Sequence, residues 1–82
     1  MQRNNELVKK WEPGIQSMLV GCKIIGASYT TQAEMDDMGW VVAGLVIELD
    51  TGTFLTVCQD DEGNGPGALH TTIKGLEIIP VI

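Results

Sequence analysis

Basic residues are scarce in this 82-residue chain, which has five Lys and Arg residues against eleven Asp and Glu residues and a net charge of −6. A nucleic-acid-binding protein needs clustered Lys and Arg side chains, because these neutralise phosphates and release counterions. Here three of the five basic residues lie near the N-terminus and the other two are isolated. The composition therefore argues against binding to DNA, to RNA or to an anionic membrane surface.

Long apolar runs are also lacking. No uninterrupted apolar segment approaches the roughly 20 residues that a membrane-spanning helix needs, so we expect no membrane span. The first twenty residues are polar and charged as far as Lys10, which is not the pattern of a secretory signal. We therefore expect a cytoplasmic protein in which Cys22 and Cys58 are reduced and packed as small core residues. A chain of this length predicts one domain, residues 1–82, with a thin core.

Patterns for metal binding and nucleophilic catalysis are sparse. The one histidine, His70, would supply three ligands together with Cys22 and Cys58, which is one short of a closed structural zinc site. No CxxC or HxxxH pair is present, and a Cys58–His70 nucleophile pair would lack a recognisable oxyanion-hole motif. We therefore assign no metal site, no cofactor and no catalytic residue, and an interaction role is favoured over an enzyme.

The N-terminal segment has the apolar spacing of an amphipathic helix. Either Asn4 or Asn5 can cap its start, and Gly21 can end it. Pro13 cannot donate a backbone hydrogen bond within a helix, so it predicts either a kink or a division into two short helices. The large apolar residues that share one stripe of this helix are Leu7, Val8, Trp11, Ile15, Met18 and Leu19.

A second, short helix is predicted between the first two strands. Thr31 and Glu34 have the spacing of a capping box, in which each side chain accepts a hydrogen bond from the other residue's backbone N–H. Gly39 supplies the left-handed residue that ends such a helix. We expect a crossover helix from Gln32 to Met38.

The remaining segments predict an α+β fold with an antiparallel sheet of four or five strands, either open or curled into a half-barrel. The N-terminal helix is expected to cover the sheet. The predicted strands cover residues 23–30, 40–50, 53–59, 68–73 and 76–79.

Two registers are possible for the hairpin formed by the second and third strands. A three-residue loop with Gly52 at a bulge pairs Ile47 with Leu55 and Leu45 with Val57, which builds a uniform apolar face. A two-residue turn would mix polar and apolar residues on that face. We therefore predict the three-residue loop.

The other face of this hairpin is more apolar than a solvent-facing sheet surface should be. Either the N-terminal helix covers it, or another protein does. In the second case a second copy is the simplest partner, because twofold symmetry doubles every contact. The residues assigned to this predicted interface are Trp40, Val42, Val46 and Phe54.

The segment 60–67, called here the acidic loop, is the best candidate for a binding site. Asp60, Glu62, Asn64 and Gly65 match the first, third, fifth and sixth places of a calcium-binding loop. The twelfth place is Thr71 rather than a bidentate Glu, and the flanking segments read as strands. A solvated turn is therefore the favoured interpretation. The candidate binding residues are Asp60, Asp61, Glu62, Asn64 and His70.

The acidic loop, with the preceding Asp50-Thr51-Gly52-Thr53, resembles a family of small bacterial proteins to which no activity is assigned. These pair an Asp-x-Gly-Thr hairpin with a DDEGNGPGAL-type segment, here residues 60–69. The resemblance covers residues 40–70. It implies a compact β-rich fold and a bacterial cytoplasmic setting. It also implies that the genes of some relatives of this kind are carried on mobile gene cassettes. It transfers no catalytic residue.

Two functional hypotheses follow. The first is a non-catalytic binding or interaction module, expected to form a homodimer and able to take an additional protein partner. The alternative is a small-ligand or cation-binding protein that uses the acidic loop, with a weak hydrolytic role centred on Asp60, Asp61, Glu62 and His70.

Overall fold

The computed structural model describes residues 3–82 and confirms an α+β fold with antiparallel strands. The strands do not form the single sheet that we predicted. Three of them form one sheet in the order β1-β2-β3, and β4 pairs with β5 in a second sheet. The elements in chain order are α1 (Asn5–Leu19), β1 (Ile24–Tyr29), α2 (Gln32–Met38), β2 (Leu45–Leu49), β3 (Phe54–Thr56), β4 (Leu69–His70) and β5 (Ile78–Ile79).

Helix α1 begins at the predicted cap, where the Asn4 side chain accepts a hydrogen bond from the Leu7 N–H at 3.2 Å. It continues through Pro13 as one helix, so the alternative of two short helices is wrong. The helix ends at Leu19 with Val20 as its C-cap, and Gly21 follows with a φ of 83°. A residue without a Cβ adopts this left-handed conformation at low cost, which explains the glycine at this position.

Helix α2 and its capping box are confirmed. The Thr31 hydroxyl oxygen accepts from the Glu34 N–H at 3.2 Å, and Glu34 Oε1 accepts from the Thr31 N–H at 3.3 Å. Gly39 ends the helix with a φ of 72°. Neither helix in the described part of the chain combines the length and the apolar character that crossing a membrane requires.

The predicted register of the β2–β3 hairpin is confirmed. Ile47 lies opposite Leu55, and Glu48 lies opposite Phe54. Gly52 has a φ of 86°, and its N–H donates to the Leu49 carbonyl oxygen at 3.0 Å, which closes the three-residue loop. The side chains selected this register because it places apolar residues of both strands on one face.

The second strand is shorter than predicted. It begins at Leu45, and residues 40–44 form a bend and irregular backbone instead of strand. The Thr30 N–H donates to the Gly44 carbonyl oxygen at 2.9 Å, and the Gly44 N–H donates to the Thr30 hydroxyl at 3.2 Å. This arrangement buries Trp40, which is 6% exposed. Burial of an indole stabilises more than extension of the central strand β2 by a few residues, so tertiary packing overrides the alternating pattern.

The core is small and includes both ends of the central strand, β2. Its buried apolar residues are Trp40, Leu45 and Leu49. The C-terminal segment reaches the same region, because the Tyr29 hydroxyl donates to the Pro80 carbonyl oxygen at 2.7 Å. A chain of this length has little apolar area to bury, and much of it remains uncovered here.

Helix α1 does not cover the sheet, which corrects our expectation. It buries none of its residues within the described part of the chain and makes no extended contact with any strand. The connection at Val20 and Gly21 joins the helix to β1 without folding it back over the strands. Both the apolar stripe of the helix and part of the sheet are therefore left open.

Candidate functional site

The acidic loop is held together by Asp60. Its Oδ1 accepts from the backbone N–H groups of Glu62 and Asn64 at 3.0 and 3.1 Å, and its Oδ2 accepts from the Asn64 side-chain amide at 2.9 Å. These donors, above all the Asn64 side chain, hold the pKa of Asp60 below its ordinary value. The carboxylate thus acts as the internal brace of a turn.

The acidic loop is also tied to the core. The Trp40 indole N–H donates to the Gly63 carbonyl oxygen at 3.0 Å. Gly44 packs so closely below the loop that a Cβ there would lie 2.5 Å from the Pro66 Cβ and 3.1 Å from the Trp40 ring. Gly65 is buried, and its carbonyl accepts from the Gln59 N–H at 2.9 Å. The glycines of this loop therefore permit close packing as well as tight turning.

This geometry limits the chemistry of the loop. Both oxygens of Asp60 already accept hydrogen bonds from the loop, while Asp61 and Glu62 are exposed. Within residues 3–82, no group of three or more His, Cys, Asp and Glu side chains is placed to hold a metal ion. A general acid at neutral pH needs a raised pKa, and that of Asp60 is shifted in the opposite direction.

In the part of the chain that the structure describes, the remaining candidate residues make no hydrogen bond to the loop carboxylates, although Cys58 pairs with Pro66 at the base of the loop. His70 is exposed in β4, opposite Ile78 of β5, and in the described chain no hydrogen bond joins it to the acidic loop. Cys58 is exposed rather than packed in the core, and Cys22 is half-buried with its thiol donating to the Met18 carbonyl oxygen at 3.3 Å. The expectation that Cys58 is a core residue is wrong, because the strand ends before it.

The predicted interface residues do not form one surface. Trp40 is buried within its own chain, and Val42 precedes the strand. Val46 is half-buried opposite Thr56, and Phe54 is 62% exposed opposite Glu48. The face that carries Val46 and Phe54 also carries polar residues, so it resembles an ordinary solvent-facing side of a sheet.

A larger apolar surface lies on α1. The α1 apolar face is defined here as Leu7, Trp11, Ile15 and Met18, whose spacing places them on one side of the helix. Each is at least 48% exposed, and Trp11 is 63% exposed. Along this side, a groove of about 370 Å³ is lined by Leu7, Val8, Trp11, Glu12 and Ile15. Sequence reasoning found this stripe but assigned it to cover the sheet.

One face of the three-stranded sheet is buried at both ends of β2 and more exposed near its middle. Ala27, Ile47 and Leu55 lie side by side across the three strands, because Ile47 pairs with both of the others. Ile24 shares this face through its pairing with Leu49. Ile24 and Ala27 are exposed, and Ile47 and Leu55 are only half-buried. Leu45 and Leu49 flank Ile47 on this face and are 6% and 4% exposed, so the face holds part of the core and is only partly open.

Comparison of this chain with models of protein families, with curated proteins and with solved structures found no match.

Proposed function

We propose that this chain is a non-catalytic protein-interaction module that self-associates as a homodimer through the α1 apolar face. The observation that carries the proposal is the exposure of that face, whose residues Leu7, Trp11, Ile15 and Met18 are between 48% and 63% exposed. Monomeric proteins rarely expose a contiguous apolar patch of this kind unless it binds something. The two free thiols are compatible with action in a reducing cytoplasm, and the resemblance described above implies a bacterial one.

The composition of α1 supports this proposal. Pro13 and Gly14 lie in the interior of the helix, where they cost about 3 and about 1 kcal/mol relative to alanine. A helix of 15 residues is marginal in water even when built from the best helix-forming residues. Packing of its apolar face must therefore supply the stability that its own residues lack.

The accessible surface supports it as well. The chain exposes 6554 Å², whereas a compact monomer of its mass exposes about 4,800 Å². Its radius of gyration is 14.5 Å, compared with about 12 Å for a compact domain of this length. The excess of roughly 1,700 Å² exceeds the roughly 800 Å² per partner that a stable interface of standard size buries.

A second copy is the partner that accounts for this excess most simply. A twofold axis uses the same surface on both subunits, so each apolar residue is buried twice in the dimer. The carboxylates of the acidic loop, Asp60, Asp61 and Glu62, stay exposed on each copy under this arrangement. It remains available for an additional protein partner.

Light scattering across a range of concentrations tests the proposal. We expect the wild-type protein to have twice the 8.9 kDa mass of a single chain, and the Trp11→Glu variant to have the mass of one chain. A charge placed on a buried apolar contact is left unpaired on association, so it weakens the dimer by several orders of magnitude. Gln16→Glu places the same charge on the opposite side of α1 and should remain dimeric.

A second control addresses the hairpin. Phe54→Glu should also remain dimeric if the α1 apolar face is the interface, since Phe54 lies on the other face of the sheet from Ile47. A wild-type protein that stays monomeric at high concentration would contradict the proposal. If Phe54→Glu dissociates the dimer and Trp11→Glu does not, the interface is the β2–β3 hairpin rather than α1.

A further inference from the structure

We infer that Asn64 of the acidic loop is a site of spontaneous deamidation, and that this modification releases the loop from the core. Asn64 donates two of the three hydrogen bonds that form the brace at Asp60. Loss of its side-chain amide converts that side chain from a hydrogen-bond donor into a second carboxylate. The inference does not depend on the proposed self-association.

The surroundings of Asn64 favour this reaction. It is the only asparagine of the chain that is followed by glycine, and Gly65 has no Cβ to hinder attack by its own backbone nitrogen. Asn64 is exposed and lies in no helix or strand, so local fluctuations can bring its side chain towards that nitrogen. Within residues 3–82, the Gly65 N–H donates no backbone hydrogen bond that the attack would have to break.

The reaction needs only water as a co-reactant. The Gly65 nitrogen attacks Cγ of Asn64, so a new C–N bond forms while the bond between Cγ and Nδ2 breaks. Nδ2 takes up the proton of the Gly65 N–H and leaves as ammonia, which gives a cyclic succinimide. Water then breaks one of the two C–N bonds of this ring that join a carbonyl carbon to nitrogen, and the product is aspartate or isoaspartate. The net change is hydrolysis of one amide to a carboxylate and an ammonium ion, with no oxidation or reduction.

Either product removes the brace. The Asn64 amide donates to Oδ2 of Asp60 at 2.9 Å, whereas a carboxylate at position 64 has no proton to donate and faces Asp60 with a like charge. Isoaspartate also adds one carbon atom to the backbone directly before Gly65. This addition shifts the Gly65 carbonyl, which accepts from the Gln59 N–H at 2.9 Å. The turn can then no longer keep its folded geometry.

Opening of the turn reaches the core through Trp40. The carbonyl that accepts from the Trp40 indole N–H belongs to Gly63, the residue directly before Asn64. When the turn opens, this hydrogen bond is lost and the indole, which is 6% exposed, becomes accessible to water. The modification also adds one negative charge to a chain whose net charge is −6. It therefore changes both the mobility and the charge of the loop that the proposed dimer leaves available for an additional partner.

Mass spectrometry of protein aged at mildly alkaline pH tests the site. We expect the folded wild-type protein to gain the mass difference between OH and NH₂, and peptide mapping to place the change at Asn64 as a mixture of aspartate and isoaspartate. Gly65→Ala is the matched control, since it keeps Asn64 and its bond to Asp60. An alanine fits here because the φ of Gly65 is not positive and the nearest atom to its Cβ, at 3.1 Å, is the end of the flexible Gln59 side chain. It should slow the reaction by roughly an order of magnitude, because its Cβ hinders the approach of the nitrogen.

Hydrogen exchange of the Trp40 indole tests the consequence. We expect this N–H to exchange with solvent roughly five- to tenfold faster in Asn64→Asp, which reproduces one product, than in the wild type, because one hydrogen bond no longer holds it. Gln16→Glu adds the same charge on α1 and should leave the exchange rate unchanged. NMR measures the rate, and a Trp11→Phe variant assigns the signal. If Asn64→Asp fails to fold, the exchange is measured on the deamidated fraction separated from aged wild-type protein.

The outcomes decide the two parts of the inference separately. Folded wild-type protein that keeps its mass while urea-unfolded protein deamidates overturns the site, because the fold then protects Asn64. Equal rates in the wild type and in Gly65→Ala overturn attack by the Gly65 nitrogen. An indole exchange rate that Asn64→Asp leaves unchanged overturns release of the loop. Deamidation at Asn64 that Gly65→Ala slows, together with faster exchange in Asn64→Asp, supports both parts.

Discussion

The indole N–H of Trp40 donates a hydrogen bond to the carbonyl oxygen of Gly63 at 3.0 Å. This contact joins the centre of the core to the tip of a loop 23 residues further along the chain. The loop presents its carbonyl in this position because Asp60 braces the turn from within. The acidic loop is therefore a packing element of the core as well as a charged surface.

Removal of the indole N–H should measure this contact. We expect Trp40→Phe to lower the free energy of unfolding by about 1 kcal/mol, since one hydrogen bond is lost while most of the ring is kept. Trp40→Ala should cost about 3–5 kcal/mol, because it also leaves a cavity. Urea denaturation followed by circular dichroism measures both values. Equal stabilities of wild type and Trp40→Phe would show that the hydrogen bond contributes nothing.

Gly44 should not tolerate a side chain. A Cβ at this position would lie 2.5 Å from the Pro66 Cβ, so Gly44→Ala must displace the acidic loop or the Trp40 ring. We expect a loss of about 1–3 kcal/mol in the free energy of unfolding, the range typical of overpacking. The double variant with Pro66→Gly is the control, because removal of the opposing Cβ should reduce the cost of the alanine. Independent, additive effects of the two changes would contradict this close approach.

The Asp60 brace should make stability depend on pH in the acidic range. Its pKa is lower in the folded chain than in the unfolded one, so its contribution is fully present above the unfolded pKa. That contribution is lost as the pH falls through the lowered folded value, below about pH 4. Asn64→Ala removes the largest cause of the shift and should raise the pKa of Asp60 towards its ordinary value. NMR titration of the Asp60 carboxyl carbon measures it, and an unchanged pKa in the variant would contradict the assignment.

Calcium should leave the melting temperature unchanged. The oxygens of Asp60 already accept hydrogen bonds within the turn, so a cation would have to replace those donors. Thermal melting at millimolar calcium, compared with a chelator, measures the effect. A calcium-dependent rise that disappears on alanine substitution of Asp60 and Glu62 would instead support the cation-binding alternative.

Salt should tighten the dimer. Each copy carries a net charge of −6, so association brings like charges together, while the proposed contact is apolar. Added salt screens this repulsion, since the Debye length falls to about 3 Å at 1 M. Light scattering near the dissociation constant should therefore show a larger dimer fraction at high sodium chloride. Dissociation by salt would indicate an interface held by ion pairs, with Lys9 and Lys10 as the obvious cations.

The elements that could be predicted from the sequence are those determined by neighbouring residues. Helix α2 has the predicted bounds because its capping box and its terminal glycine lie within nine residues. The β2–β3 register follows from a three-residue loop and from alternation on both sides of it. Asn4 and Gly21 mark the ends of α1 for the same reason.

The parts that could not be predicted depend on distant contacts. The alternating pattern from Trp40 onward favours a strand, but the carbonyl of Gly63 and the ring of Pro66 make burial of this indole more favourable. For the candidate site, the sequence located the acidic loop but not its bond to Trp40. The sequence also identified the apolar stripe of α1, but it did not show that this stripe is exposed. The reason is that periodicity identifies the apolar side of a helix and not what covers that side.

The sequence by itself determined the α+β class, the two helices, the hairpin register and a charge that disfavours polyanions. Each of these depends on interactions over a few residues or on composition alone. Only the tertiary structure decided that the acidic loop packs on Trp40 and that α1 stands away from the sheet. Such outcomes depend on which of several apolar surfaces pack together, and that choice is made by the total area buried rather than by any local pattern.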